Sequence, residues 1–367
     1  MGSQRKTKEQ LRDWLNLVEE ETLEPDMPII DPHHHLWKRN RPYVIDDLWE
    51  DTKSGHNIVG TIFVECSAEY RDSGPQSLKP VGETEFVISQ AKLSNKKSSR
   101  GQPPILGCVS HANLMLGEKV QEVLEEHLSC APKGFVKGIR HSVAYYPFPP
   151  KAGRYTGRLP GLMNRPDFRE GFSMLAKFQL SFDAWLVHTQ ITELTDLARK
   201  FPETTIIFDH FGGPLGIGSF SGRQTEIFPL WKKHVTELSK CENVYAKLGG
   251  LAMPLNGWGW DLRERPANSD EIVTLHKDYY LTMIDLFGPN RCMFESDFPV
   301  DKFSVSYNIL WNALKKIAEP FSIEEKSCLF KETASKVYKI KRTFVNENFG
   351  WWNGNLFERE WCTFQTT

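Results

Sequence analysis

Eight short apolar runs, separated by stretches of helical periodicity, set the strongest limit on what this chain can fold into. They lie at Pro28–Asp31, Ile58–Glu65, Ile105–Ser110, Phe135–Arg140, Leu180–Val187, Thr205–Asp209, Val244–Leu248 and Cys292–Glu295. Runs this short, with little polar alternation, read as strands covered on both faces. Helical spacing recurs between them at Val120–Leu128, Phe168–Phe178, Thr192–Lys200, Leu230–Lys240, Ile272–Leu286 and Ser306–Ile317. Strand–helix alternation predicts a parallel sheet, and eight repeats predict an α/β fold closed as a (β/α)8 TIM barrel. The runner-up, an open doubly wound sheet, calls for a Gly-rich phosphate turn after an early strand, and the sequence has none.

The flanks suggest three segments: a helical arm over 1–27, the barrel over 28–340 and a tail over 341–367. Thr7 and Gln10 form a capping box, and Leu11, Trp14, Leu15 and Val18 continue it as an amphipathic helix expected from Thr7 to Glu24. Trp351, Trp352, Phe357 and Trp361 in the tail imply docking on the barrel or at a homodimer interface. Ser94–Pro104 reads as a polar surface loop. Tyr145–Arg165 and Met253–Pro266 follow the fourth and seventh strands and are expected to wall a pocket at the active-site face.

A formal net charge of -2 leaves no nucleic-acid footprint or polybasic membrane patch. No run has the length of a membrane-spanning helix. The seven cysteines occur singly, with no C-x-x-C pair and no signal peptide, so the expected setting is the reducing cytoplasm.

Chemistry-bearing residues gather at the ends of the runs. The first ends in Asp31-Pro32-His33-His34-His35. In extended backbone His33 and His35 project together while His34 points away, a pairing suited to one divalent metal. Later runs end at Arg140-His141, His188, Asp209-His210 and Glu295-Ser296-Asp297. In a barrel these positions converge on one mouth. A single strand-end His is more often a hydrogen-bonded structural residue, so the inference rests on the joint pattern. His34, His56, His111, His127, His234 and His276 fall outside it.

The segment Ile29–Trp37 resembles the opening of the amidohydrolase-related hydrolases, in the branch of sugar-acid and pyrone-dicarboxylate lactonases. Gly138-Ile139-Arg140, Phe208-Asp209-His210-Phe211-Gly212-Gly213-Pro214 and Glu295-Ser296-Asp297-Phe298-Pro299 resemble later motifs of that branch in the same order. The resemblance implies a hydrolase that opens a lactone or similar cyclic ester of a carboxylated small molecule. The fourth run offers Arg140 and His141 where binuclear relatives carry a bridging carboxylated lysine or glutamate, so one divalent metal, zinc by preference, is expected. Some members of the branch work without tightly bound metal, which makes metal-free operation the second option.

On this reading His33, His35, His188 and Asp297 hold the metal. Asp297 and His210 are the catalytic pair, with Asp297 accepting the proton of the attacking water. Asp31 is expected to fix a histidine tautomer. Arg140 is the expected clamp for a substrate carboxylate, with His141, Tyr145 and Trp258 completing the substrate site. Two alternatives stand beside it: a non-oxidative decarboxylase of aromatic or unsaturated acids, and a non-catalytic barrel that binds a ligand.

Overall fold

A computed structural model describes residues 6–146 and 159–340; the aromatic tail and the middle of the Tyr145–Arg165 insertion lie outside them. Eight strands pair in sequence order, every neighbouring pair parallel. They are β1 (Pro28–His34), β2 (Asn57–Val64), β3 (Ile105–Ser110), β4 (Val136–Arg140), β5 (Ser181–Ala184), β6 (Ile206–Phe208), β7 (Val244–Leu248) and β8 (Cys292–Phe294). The ring closes just past β8: His34 bridges Phe298 in parallel, the Asp297 N–H donates to His33 O at 3.0 Å, and the His35 N–H donates to Phe298 O at 2.8 Å. This is the (β/α)8 barrel that the eight apolar runs predict.

The strands carry two covered faces of different character. Ile29, Phe63, Cys108, Ile139, Phe182, Ile206, Phe208, Val244 and Phe294 pack outward against the helices. Ile30, Ile62, Val64, Val109, Ile207 and Met293 fill the interior. Beneath them Ala334, Tyr338 and Ile340 plug the barrel floor. Above them the interior turns polar, at His33, Asp183 and Lys247.

Two expectations are corrected. The N-terminal helix spans only Lys8–Leu15 rather than running to Glu24. Glu19, Glu20 and Glu21 follow it, and carboxylates at a helix C-terminus oppose the macrodipole. Glu20 instead accepts hydrogen bonds from Ser269 N at 2.9 Å and Asn312 Nδ2 at 3.1 Å, which pulls the chain out along the barrel wall. The expected loop Ser94–Pro104 begins as the last turn of a helix, Val81–Lys97. There Ser94 is buried and its Oγ accepts from the Ile105 N–H at 3.1 Å, a tertiary contact that its polarity alone does not disclose. No helix among the described residues is long and apolar enough to cross a membrane.

Candidate active site

Three imidazoles surround one carboxylate oxygen at the C-terminal mouth of the barrel. Asp297 Oδ1 lies 3.3 Å from His35 Nε2, 3.7 Å from His33 Nε2 and 3.8 Å from His210 Nε2. His35 Nδ1 donates to Val64 O at 2.7 Å, which leaves its Nε2 lone pair aimed at this centre. Glu295 stands behind the other two rings: its Oε2 is 2.8 Å from His33 Nδ1 and its Oε1 is 2.7 Å from His210 Nδ1. Both approaches are close but too oblique for aligned hydrogen bonds.

The local backbone explains how the sequence presents these groups. His210, Phe211 and Asp297 all adopt left-handed conformations, with φ of 52°, 58° and 54°. Such residues cost on the order of 1–3 kcal/mol each and persist where surrounding bonds over-determine them. Here the Asp297 N–H bond to His33 O and the Gly213 N–H bond to His210 O, 2.9 Å, hold the turns. After β7, Gly249 and Gly250 make room. A Cβ on Gly249 would collide with Glu295 Cγ, and one on Gly250 would fall 2.5 Å from His210 Nδ1. Gly250 also has φ of 75°. Gly250→Ala is therefore expected to push His210 off the centre and cost about 10²-fold in kcat, because misplacement by an ångström has that effect. Steady-state kinetics check it, and an unchanged kcat removes His210 from the chemistry.

A charged layer lies directly beneath. Lys247, 0% exposed, donates to Asp183 Oδ2 at 2.8 Å and lies 3.6 Å from Asp209 Oδ1 and 3.3 Å from His33 Nδ1. Tyr338 OH, reaching up from the floor, donates to the same Asp183 oxygen at 2.6 Å. Arg140 donates through Nε to Glu65 Oε1 at 2.8 Å, through Nη2 to Glu65 O, and through Nη1 to His33 Nε2 at 3.3 Å. Its Nη1 is also 3.7 Å from Asp209 Oδ2.

Burial dominates the protonation states. It pushes His35 down to about 3 and His33 well below the usual imidazole range, the latter helped by Lys247. His210 is lowered for the same reason, so all three rings are neutral donors. Burial raises the Asp297 and Glu295 carboxyls and lifts Asp209 to about 6. For Lys247 burial works against the charge, but Asp183 and Asp209 outweigh it and hold the ammonium above its ordinary value.

Among the described residues two compact donor groups suit a metal ion: His33, His35 and Asp297, and His33, His210 and Glu295. The second gathers at His33 Nδ1, 3.3 Å from the Lys247 ammonium, and the first at His33 Nε2, 3.3 Å from Arg140 Nη1, so a fixed cation borders each. The first gathers at Nε2 atoms spaced 3.3–3.7 Å from Asp297 Oδ1, close to the roughly 3.3 Å between ligands of a tetrahedral zinc with bonds near 2.0–2.1 Å. Asp297 Oδ2 is buried without a hydrogen-bond partner, as a group awaiting a ligand would be.

Other expected residues stand elsewhere. His188 belongs to neither donor group: its Nδ1 accepts from the Leu215 N–H at 3.1 Å and its ring packs edge-on against Phe220. His141 accepts from the Leu114 N–H at 3.2 Å and meets the rings of His111 and Phe168. Tyr145 is half-buried, its N–H on Gln190 Oε1 at 2.9 Å, and Trp258 packs on His276 with ring centroids 4.9 Å apart. Asp31 fixes no imidazole. It accepts from Ser296 N and Oγ at 3.0 and 2.6 Å and from Tyr307 OH at 3.0 Å, and so pins the β8 turn to β1. Glu65, Asp183, Lys247 and the role of Glu295 escaped the sequence reading. Their signal was a charge inside or at the end of an apolar run, where a strand covered on both faces has no solvent to offer it.

Residues 30–340 match the amidohydrolase family (Amidohydro_2). An uncharacterised protein of Sinorhizobium fredii is 32% identical over 86% of this chain and 99% of its own length. An L-fucono-1,5-lactonase of Burkholderia ambifaria is 23% identical over 75% of this chain and 81% of its own. Among solved structures, an amidohydrolase of Burkholderia multivorans with bound zinc superposes with a TM-score of 0.66 at 21% identity, covering 85% of this chain and 99% of that one.

Proposed function

The chain belongs to the amidohydrolase family, and from that membership we propose that it is a hydrolase opening a lactone or similar cyclic ester of a small molecule. The observation that carries this reading is the single Asp297 oxygen ringed by the Nε2 atoms of His33, His35 and His210. The lactonase relative supports the bond type, and the zinc-bound relative supports a divalent ion, zinc by preference, at His33, His35 and Asp297. Such an ion would supply polarisation of the ester carbonyl and acidify a neighbouring water.

The chain's own groups do the rest. Asp297, whose carboxyl burial has made more basic, takes the proton of the attacking water and returns it to the leaving ring oxygen. His210, neutral and 3.8 Å from that carboxylate through Nε2, orients the water. Glu295 sets the ring planes of His33 and His210 from behind. Arg140, 7% exposed and with all its nitrogens engaged, holds this cluster rather than clamping a substrate carboxylate, which frees the substrate from the need to be an acid.

The test is a panel of sugar lactones, pyrones and aromatic acids, followed by proton release and carbon dioxide evolution. Ring-opened acid is expected from one lactone class, with loss of activity after chelation and recovery on adding zinc. Carbon dioxide from an aromatic acid, with every lactone inert, would replace this reading with decarboxylation.

A further inference from the structure

Arg140 and a metal ion would compete for the same atom. The Nη1 of Arg140 donates to His33 Nε2 at 3.3 Å, and His33 Nε2 is one of the nitrogens facing Asp297. A neutral imidazole has one lone pair. Its other nitrogen, Nδ1, faces both Glu295 Oε2 at 2.8 Å and the Lys247 ammonium at 3.3 Å; with the ring proton turned to the nearer carboxylate, the lone pair lies on Nε2, toward Arg140. We propose that Arg140 is the resident cation of this centre, occupying the His33 lone pair when no ion is bound and yielding it when a divalent ion enters.

The anchoring of Arg140 suits that exchange. Nε and Nη2 are both bound to Glu65, at Oε1 and at the backbone carbonyl, so Nη1 alone faces the centre. Releasing His33 costs one contact, and Asp209 Oδ2, 3.7 Å from the same Nη1, stands ready to receive it. A guanidinium stays charged at any working pH, so it opposes a second cation even after stepping back. The arrangement keeps the ligands in register without metal and makes the bound ion exchangeable. Neither effect follows from a substrate-clamping arginine.

The inference rests on the metal centre proposed above, and the experiment separates the two. Metal-stripped full-length protein is titrated with zinc alone against a chromogenic chelator, as wild type, as His35→Ala and as Glu65→Gln/Arg140→Gln. The double variant removes both charges of the buried pair, so neither is left unpaired. It is expected to bind zinc at least tenfold more tightly than wild type, and His35→Ala to lose binding. Zinc binding that needs His35 but is unchanged or weakened in the double variant overturns the inference alone. No binding in wild type or in the double variant, or binding that survives His35→Ala, overturns the metal centre and the inference with it. Independently of any variant, a crystal structure of the zinc-loaded wild type should show Arg140 Nη1 beyond hydrogen-bond distance of His33 Nε2; a retained contact refutes the exchange.

Discussion

Asp297→Asn is expected to lower kcat by about 10²- to 10⁴-fold, the usual worth of a positioned general base, while leaving the fold intact. Asparagine tolerates the left-handed backbone at this position, φ 54°, about as well as aspartate. The amide keeps the shape, and the backbone bonds of this residue to His33, Val300 and Asp301 lie outside the side chain, so thermal unfolding should not move much. Burial already disfavours the charge at Asp297, so a neutral replacement removes a cost rather than a support. What is lost is an acceptor for the water's proton and, at the same atom, the meeting point of three imidazoles. The loss holds whether or not an ion is bound, because both routes end at this carboxylate. Near-normal turnover of Asp297→Asn would dismiss the proposed chemistry altogether.

The largest stability effect is expected at Lys247. Lys247→Met keeps the length and apolar stem but leaves Asp183 and Asp209 facing each other in the interior without their ammonium. Breaking a buried pair from one side costs about 3–5 kcal/mol, readable as a shift of the urea midpoint. The deficit has a pH signature. Asp209 is raised to about 6, chiefly by burial and against the pull of Lys247. A carboxyl raised on folding binds its proton more tightly in the native state, so protonation favours that state as pH falls through the folded value. Without Lys247 that value rises further, so the variant should regain part of its stability in mildly acidic buffer. The double variant Lys247→Met/Asp183→Asn should recover much of the loss at neutral pH. Equal stability of Lys247→Met and wild type at pH 7 would show that the layer carries no net charge stress.

The barrel was legible because parallel strands covered on both faces leave an unmistakable trace. Ile105–Ser110 and Val244–Leu248 match the expected bounds to the residue, whereas β5 covers Ser181–Ala184 of the expected Leu180–Val187, and His188 opens a separate turn with its N–H on the Gly213 carbonyl. The helices Ile45–Thr52 and Val81–Lys97 went unread. Much of the latter is buried, including Glu83, Thr84, Gln90 and Ser94, which breaks the one-sided pattern that periodicity detects. At the site, strand-end position identified His33, His35, His210 and Asp297, which do come together. The same rule failed for His188, since a position at the mouth does not say which way a ring turns; the Leu215 N–H turned it away. Lys247 and Asp183 were invisible to it because they sit within strands, one layer below the ends.

The Tyr338 hydroxyl gives the floor of the barrel a stake in what happens at its mouth. In most barrels of this kind the two ends answer to separate demands, and material can be trimmed from the lower one at a cost in stability alone. Here the helix Thr333–Val337 delivers a phenol through the floor onto Asp183, the partner of the lysine that borders His33. A protein engineer shortening this chain or appending a tag therefore has a boundary to respect: stopping at Val337 would open the apolar floor and unfasten the ion layer with the same cut.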